Sequence, residues 1–241
     1  MSLFGTTTTT DGRTLSRREE RLMERSIVRE NEKEISPSLY NLILGGTVAY
    51  GLLMNALIVY ACGAAILNFA MNGGYWVILI GYLVLGIVGI IMARKSKSAL
   101  VSFIGYNLLV LPMGALLAVY IPAFQPAIVI KAVMLTAFIT LFMMGISSAF
   151  PLFFARLGMT LFVTLCVTLL VEVLSLLIFG YDGVLFDYIF VLLFSLYIGF
   201  DYCRAQAYAK TRDNAVDSAI DIYLDIINLF IRILAILGRK N

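Results

Sequence analysis

The sequence predicts an all-α membrane protein, a seven-transmembrane-helix bundle with a cytoplasmic N-terminus. Of the 241 residues, 61 % are hydrophobic and 14 % are charged, whereas soluble domains average about 45–50 % and about 25 %. The charges are concentrated at the start, since residues 1–39 hold seven basic and seven acidic side chains. We therefore expect a polar cytoplasmic N-terminal tail over residues 1–39 and a transmembrane domain over residues 40–241.

The apolar part of the chain divides into seven segments of membrane-spanning length. A helix needs about 20 predominantly apolar residues to cross a bilayer. Turn-forming sequences rich in Gly, Pro, Asn or charged residues separate the segments. The predicted spans cover about residues 40–67, 75–93, 99–120, 127–149, 152–179, 185–205 and 216–237.

The distribution of basic residues predicts the orientation in the membrane. The loops at 68–74, 121–126 and 180–184 contain no Lys or Arg, whereas the N-terminal tail and the loops between these three are basic. Basic loops mark the cytoplasmic side, and the start of the chain lacks the apolar core of a signal peptide. These features favour a bacterial cytoplasmic (inner) membrane. Seven crossings place the basic C-terminus outside, so a last segment that re-enters without crossing stays an alternative.

The last apolar segment carries a stripe of polar side chains. Asp217, Asp221 and Asp225 recur at every fourth residue. At 100° per residue, these three share an arc of about 80° with Asn228 and Arg232. A charge that faces lipid costs at least a few kcal/mol, so we expect the stripe to face a pore or the bundle interior. Asp225 lies about 13 Å inside the segment at 1.5 Å per residue, too deep for a simple surface role.

Asp201 in the sixth segment is the predicted partner of Asp225. It lies a few residues before Arg204, which marks the cytoplasmic boundary, and antiparallel neighbours would place both aspartates in the same half of the membrane. Two close carboxylates in a low dielectric cannot both ionise easily, so they tend to share one proton. Such a pair responds to pH without histidine, which the chain lacks. Separate hydrogen bonds from each aspartate to Ser, Tyr or Arg are an equally open interpretation.

Two further acids are predicted near the opposite face of the membrane. Glu172 lies within the fifth segment and Asp187 at the start of the sixth. With no basic residues in the adjacent loops, these carboxylates could concentrate cations at an external mouth. The alternatives are a structural pairing of Glu172 with Tyr or Ser and simple solvation of Asp187.

The last two segments also carry a family pattern. Residues 194–201 read F-S-L-Y-I-G-F-D, and residues 222–230 read I-Y-L-D-I-I-N-L-F. This pair of segments resembles the last two helices of the Bax-inhibitor family, the transmembrane Bax-inhibitor-motif proteins. The resemblance implies a seven-helix bundle whose bacterial members act as pH-sensitive calcium leak channels. Asp201 and Asp225 would then form a proton-sharing pair that latches the pore, and a basic residue at the end of the second helix, Arg94 or its neighbour Lys95, would join that latch.

The resulting functional prediction is a pH-sensitive calcium (cation) leak channel gated by the aspartate pair. Calcium is the permeant ion and could bind transiently at Asp201 and Asp225, because it prefers oxygen ligands; protons act as the regulator. No cofactor, enzymatic activity or nucleic-acid partner is expected, and the predicted partners are the lipid bilayer and calcium ions, while no motif indicates a protein partner. Arg232 departs from the family pattern and leaves the ion selectivity open.

Other classes of membrane protein share some of these sequence features. A proton-coupled secondary transporter also uses buried acids and helices broken by Gly or Pro, and the region around Pro112 suggests such a break. A non-transporting stress-regulatory adaptor is a second alternative. An intramembrane aspartyl protease is disfavoured, because its second aspartate needs a G-x-G-D sequence where this chain has I-Y-L-D. The absence of histidine excludes an H-E-x-x-H zinc site.

Overall fold

The computed structural model describes Arg25 and residues 33–96, 98–180 and 183–239. These residues form helices and connecting turns without any strand, which confirms the predicted all-α fold. Most of the tail predicted over residues 1–39 lies outside the described residues. The seven long helices in the described part are α1 (Pro37–Phe69), α2 (Tyr75–Lys95), α3 (Ala99–Tyr120), α4 (Pro126–Ala149), α5 (Gly158–Phe179), α6 (Val184–Ala207) and α7 (Arg212–Gly238).

Two of the predicted turns depend on glycine. Gly73 separates α1 from α2 with a φ of 96°, and Gly180 and Gly183 flank the α5–α6 connection with φ values of 62° and 77°. These are left-handed conformations that glycine adopts without the steric cost of a Cβ atom. The sequence breaks at these positions therefore correspond to real helix ends.

The predicted fifth span is divided into two helices. A short helix, Pro151–Arg156, precedes α5, which begins at Gly158 and not near residue 152. Phe154 in the short helix is buried, and its ring lies where a Cβ atom on Gly199 of α6 would have to be. The short helix thus packs against α6 through this aromatic ring.

The break suggested around Pro112 is not present. Helix α3 continues through Pro112 to Tyr120. Membrane helices tolerate proline when neighbouring helices cover the freed backbone group, and α3 packs against α1, α2 and α7. This feature of secondary transporters is therefore absent from α3.

Five helical stretches in the described part of the chain are long and apolar enough to cross a membrane. The first stretch, Pro37–Lys95, contains the turn at Gly73 and therefore both α1 and α2. The other four are Ala99–Ala123, Pro126–Ala149, Gly158–Ile178 and Val184–Ala207, which correspond to α3, α4, α5 and α6. Large apolar side chains are exposed on the outer faces of α2, α4 and α5, as expected for contact with lipid. The chain is thus an integral, multi-pass membrane protein.

Helix α7 lies at the centre of the bundle. It packs against α1, α2, α3, α4 and α6, and most of its side chains are buried. It is not among the five stretches, because every 18-residue part of it contains at least three charged side chains. The helix begins at Arg212, four residues before the predicted start, because the Thr211 hydroxyl caps it by accepting the backbone N–H of Asn214. The polar stripe is therefore inside the protein.

Candidate functional site

The structure brings Asp201 and Asp225 together. Asp201 lies on α6 and Asp225 on α7, and each is only 7 % exposed. Their carboxyl groups lie close enough to interact directly across the α6–α7 interface. An ionised carboxylate only accepts hydrogen bonds, so a bond between two carboxyl groups needs one proton. The geometry therefore suits a pair that holds a single proton.

Two arginines and a third aspartate surround this pair. The Arg204 Nη2 atom lies 2.9 Å from Asp201 Oδ1 and 2.6 Å from Asp221 Oδ2. The Arg94 Nη2 atom donates to Asp221 Oδ1 at 2.7 Å. Asp221 thus lies between a guanidinium group of α2 and one of α6, and it joins both helices to α7. We call these five residues, Asp201, Asp221, Asp225, Arg94 and Arg204, the aspartate cluster.

The charge of the aspartate cluster depends on one proton. Three carboxyl groups face two guanidinium groups, so full ionisation leaves one excess negative charge. Asp225 makes no ion pair with a described residue, and its Oδ2 atom has no hydrogen-bond partner among them. Buried like charges disfavour ionisation of the second group. One proton shared between Asp201 and Asp225 makes the cluster neutral.

Only one of the two arginines contacts the Asp201–Asp225 pair directly. Arg94 is at the last turn of α2, and its side chain is 51 % exposed; it contacts Asp221 and not the Asp201–Asp225 pair. Arg204, which the sequence predicts to mark the cytoplasmic boundary, contacts Asp201 directly because it lies one turn further along α6. Residues three apart on a helix are neighbours, and this spacing is the sequence signal that identifies Arg204.

Asp217 and Asn228 lie outside the aspartate cluster. The buried Asp217 carboxylate forms an ion pair with Arg25 of the N-terminal segment. The Asn228 amide donates to the backbone carbonyl of Leu224, one turn back on α7, at 2.8 Å. Both residues belong to the stripe predicted to face a pore. Asp217 instead binds the N-terminal segment, and Asn228 binds the backbone of α7 itself.

A second group of charges surrounds Arg232 at the other end of the α6–α7 interface. Arg232 Nη1 donates to Glu172 Oε1 at 2.6 Å and to Asp187 Oδ1 at 2.8 Å. Arg239 Nη1 lies 2.8 Å from Asp187 Oδ2. We call Glu172, Asp187, Arg232 and Arg239 the distal cluster. Both acids expected to attract cations are therefore already ion-paired with arginine.

No group of three or more His, Cys, Asp or Glu side chains in the described part of the chain is arranged to hold a metal ion. A stable calcium site normally needs six to eight oxygen ligands. Transient calcium binding at Asp201 and Asp225 stays a prediction.

Comparison with known proteins agrees with the resemblance in the last two helices. The family model described as "Inhibitor of apoptosis-promoting Bax1" matches residues 45–241. This match covers most of α1 and all of α2 to α7, including both clusters. No curated protein and no solved structure matches the chain.

Proposed function

Because the chain belongs to the Bax inhibitor family, we propose that it is a pH-sensitive calcium (cation) leak channel gated by Asp201 and Asp225, and not an enzyme. The observation that carries this proposal is the buried contact between two carboxyl groups from different helices. Burial of two acids is costly unless a proton or a cation compensates their charge. Such a channel would respond to the proton and conduct the cation.

In the closed state, the shared proton and the arginines hold three helices together. The proton joins α6 to α7 through Asp201 and Asp225. Arg204 reinforces the same contact through Asp221, and Arg94 adds α2. The cluster is then neutral, so little electrostatic repulsion acts between the helices.

In the open state, the pair has lost its proton. Two adjacent carboxylates then repel each other at short range in a low dielectric, and the α6–α7 contact weakens. A calcium ion can compete for the same carboxylate oxygens, which makes the pair both the gate and a transient cation contact. The leak therefore increases as the pH rises, because the open state has one proton fewer.

The proposal is tested with purified protein in liposomes that contain a fluorescent calcium indicator. Asp201→Asn and Asp225→Asn each remove one titratable member of the pair while preserving its size. Each variant is expected to lose the pH dependence of calcium entry between about pH 5 and pH 8, the range in which acid-pair protonation changes. Asp217→Asn is the matched control, since this buried acid of α7 pairs with Arg25 instead, and it should keep the pH dependence.

Survival of pH-dependent calcium entry in both pair variants would contradict the gate. Calcium accumulation against its own gradient, driven by an imposed proton gradient, would instead indicate the secondary transporter. A wild-type protein that conducts no cation at any pH would favour the non-transporting adaptor.

A further inference from the structure

One face of α6 connects the two charged clusters. Asp187 and Asp201 lie 14 residues apart, which is about 21 Å at 1.5 Å per residue. Aromatic rings fill the face between them, with centroid distances of 6.0 Å and 6.3 Å between successive rings. At 100° per residue, the residues that share an arc of about 80° are Asp187, Phe190, Phe194, Tyr197 and Asp201.

The Arg232 guanidinium is held at the distal end of this face. It donates to Glu172 of α5 and Asp187 of α6, with hydrogen bonds between 2.6 Å and 3.2 Å. The Cζ atom lies 4.0 Å from the centroid of the Phe190 ring, and Phe190 is fully buried. Contacts to two carboxylates and one aromatic face fix both the position and the plane of the guanidinium.

A cation passing along this interface would meet the same carboxylates. Glu172 and Asp187 come from different helices and offer the oxygen atoms that a hard cation prefers. The Arg232 guanidinium already occupies the space between them. A cation would have to displace this group from its hydrogen bonds, against repulsion between two positive charges.

We propose that the positively charged guanidinium group of Arg232 limits ion passage at the distal end of the α6–α7 interface, acting as a tethered cation. This proposal rests on the proposed cation leak. The guanidinium acts in series with the aspartate pair. Arg232 lies seven residues, about 10 Å, from Asp225 along α7, and its partner Asp187 lies about 21 Å from Asp201 along α6. When an ion must cross two barriers one after the other, the higher barrier controls the flux. The aspartate pair therefore limits the flux at acid pH, and Arg232 limits it at alkaline pH.

The test measures calcium entry into liposomes across pH for Arg232→Gln. At alkaline pH, calcium entry is expected to rise about tenfold or more, each tenfold corresponding to about 1.4 kcal/mol of barrier. At acid pH, where the aspartate pair limits the flux, entry should stay at the wild-type level. General loosening of the bundle would instead raise entry at every pH.

Two single variants serve as matched controls. Arg239→Gln removes the other arginine of Asp187 but leaves Arg232 in place, so calcium entry at alkaline pH should rise much less than in Arg232→Gln. Arg232→Lys keeps a tethered positive charge and should also stay close to the wild type. If Arg232→Gln fails to fold, the double variant Arg232→Gln with Glu172→Gln replaces it. This variant retains the Asp187–Arg239 pair and should show the same rise at alkaline pH.

The outcomes separate this inference from the proposed function. If wild-type entry depends on pH and requires the Asp201–Asp225 pair, but neither Gln-containing variant raises it, the role of Arg232 is overturned alone. An equal rise in Arg239→Gln overturns it as well. Entry that appears in Arg232→Gln but not in the wild type supports it, whereas no entry in either protein overturns both proposals.

Discussion

At the scale of single residues, Arg204 organises the aspartate cluster. Its guanidinium contacts Asp201 on its own helix and Asp221 on α7, and its Cζ atom lies 5.3 Å from the Phe200 ring centroid. Among the described residues, it is the positive charge that forms an ion pair with Asp201 of the proton-sharing pair. Its field favours the ionised form of the carboxyl groups.

Replacement of Arg204 is expected to shift the pH response of the leak. In Arg204→Gln, the carboxyl groups lose this stabilisation and hold their proton to higher pH. The midpoint of pH-dependent calcium entry should move upward by about one pH unit. This shift corresponds to a loss of ~1.4 kcal/mol of electrostatic stabilisation of the ionised carboxyl groups. Arg94→Gln is the control, because Arg94 contacts only Asp221 of the cluster acids and is half exposed, so its shift should be smaller. A downward shift in Arg204→Gln would contradict this electrostatic role.

At the scale of helices, the backbones of α2 and α3 approach each other closely at two glycines. A Cβ atom on Gly89 would come within 2.3 Å of the Gly105 carbonyl oxygen. A Cβ atom on Gly105 would come within 2.5 Å of the Gly89 carbonyl oxygen. Backbone atoms cannot move aside as a flexible side chain can. Small residues allow membrane helices to approach this closely, so the two glycines set the α2–α3 spacing.

This contact predicts a strong difference between two glycines of α2. Gly89→Ala should destabilise the protein by about 1–3 kcal/mol through overpacking, seen as a lower thermal unfolding temperature in detergent. Gly81→Ala is the matched control on the same helix, where an added Cβ meets nothing within 4 Å. Equal unfolding temperatures for the two variants would show that the helices can separate without cost.

At the scale of the whole molecule, the N-terminal segment is joined to the α6–α7 connection. The Arg25 backbone carbonyl accepts hydrogen bonds from the Ala209 N–H at 2.9 Å and from the Asn214 amide at 3.2 Å. The Arg25 side chain pairs with Asp217 at the start of α7. The part of the tail that the structure describes is thus attached to the bundle, at the end that carries the aspartate cluster.

The connection itself is anchored by Lys210. Its ammonium group donates to the Gln206 carbonyl at 2.7 Å and lies 4.3 Å from the Tyr40 ring centroid. The Ile35 N–H donates to the Lys210 carbonyl at 2.8 Å. Burial lowers the pKa of the Lys210 side chain, which reflects how closely these elements pack.

Loss of the Arg25 contact should destabilise the protein in a pH-dependent way. Arg25→Gln leaves the buried Asp217 carboxylate without its ion-pair partner, at a cost of about 1–3 kcal/mol. The cost is larger at pH 8 than at pH 5, because protonation of the Asp217 carboxylate at lower pH removes the uncompensated charge. Thermal unfolding at both pH values measures this difference. Lys33→Gln, at an exposed position of the same tail, should change neither value, and a loss in Arg25→Gln that is independent of pH would contradict the mechanism.

The helices and the polar stripe follow from local rules. Backbone groups in lipid must form their hydrogen bonds within the chain, so long apolar segments predict helices, and turn residues predict their ends. The angular positions of Asp217, Asp221 and Asp225 follow from the helix period alone. The short helix at the start of the fifth segment is a different case, because its Phe154 packs against Gly199, which lies far away in the sequence.

Apart from the Arg204–Asp201 pair, the partners of the charged residues could not be read from spacing along any one helix. Arg94 contacts Asp221, and Arg232 contacts Glu172 and Asp187, because the packing of the helices and the length of the arginine side chains determine which groups meet. Composition and periodicity establish that charges must lie inside this bundle. Three-dimensional packing then selects which opposite charge neutralises each of them, since ion pairing depends on distances across helices and not on separation along the chain.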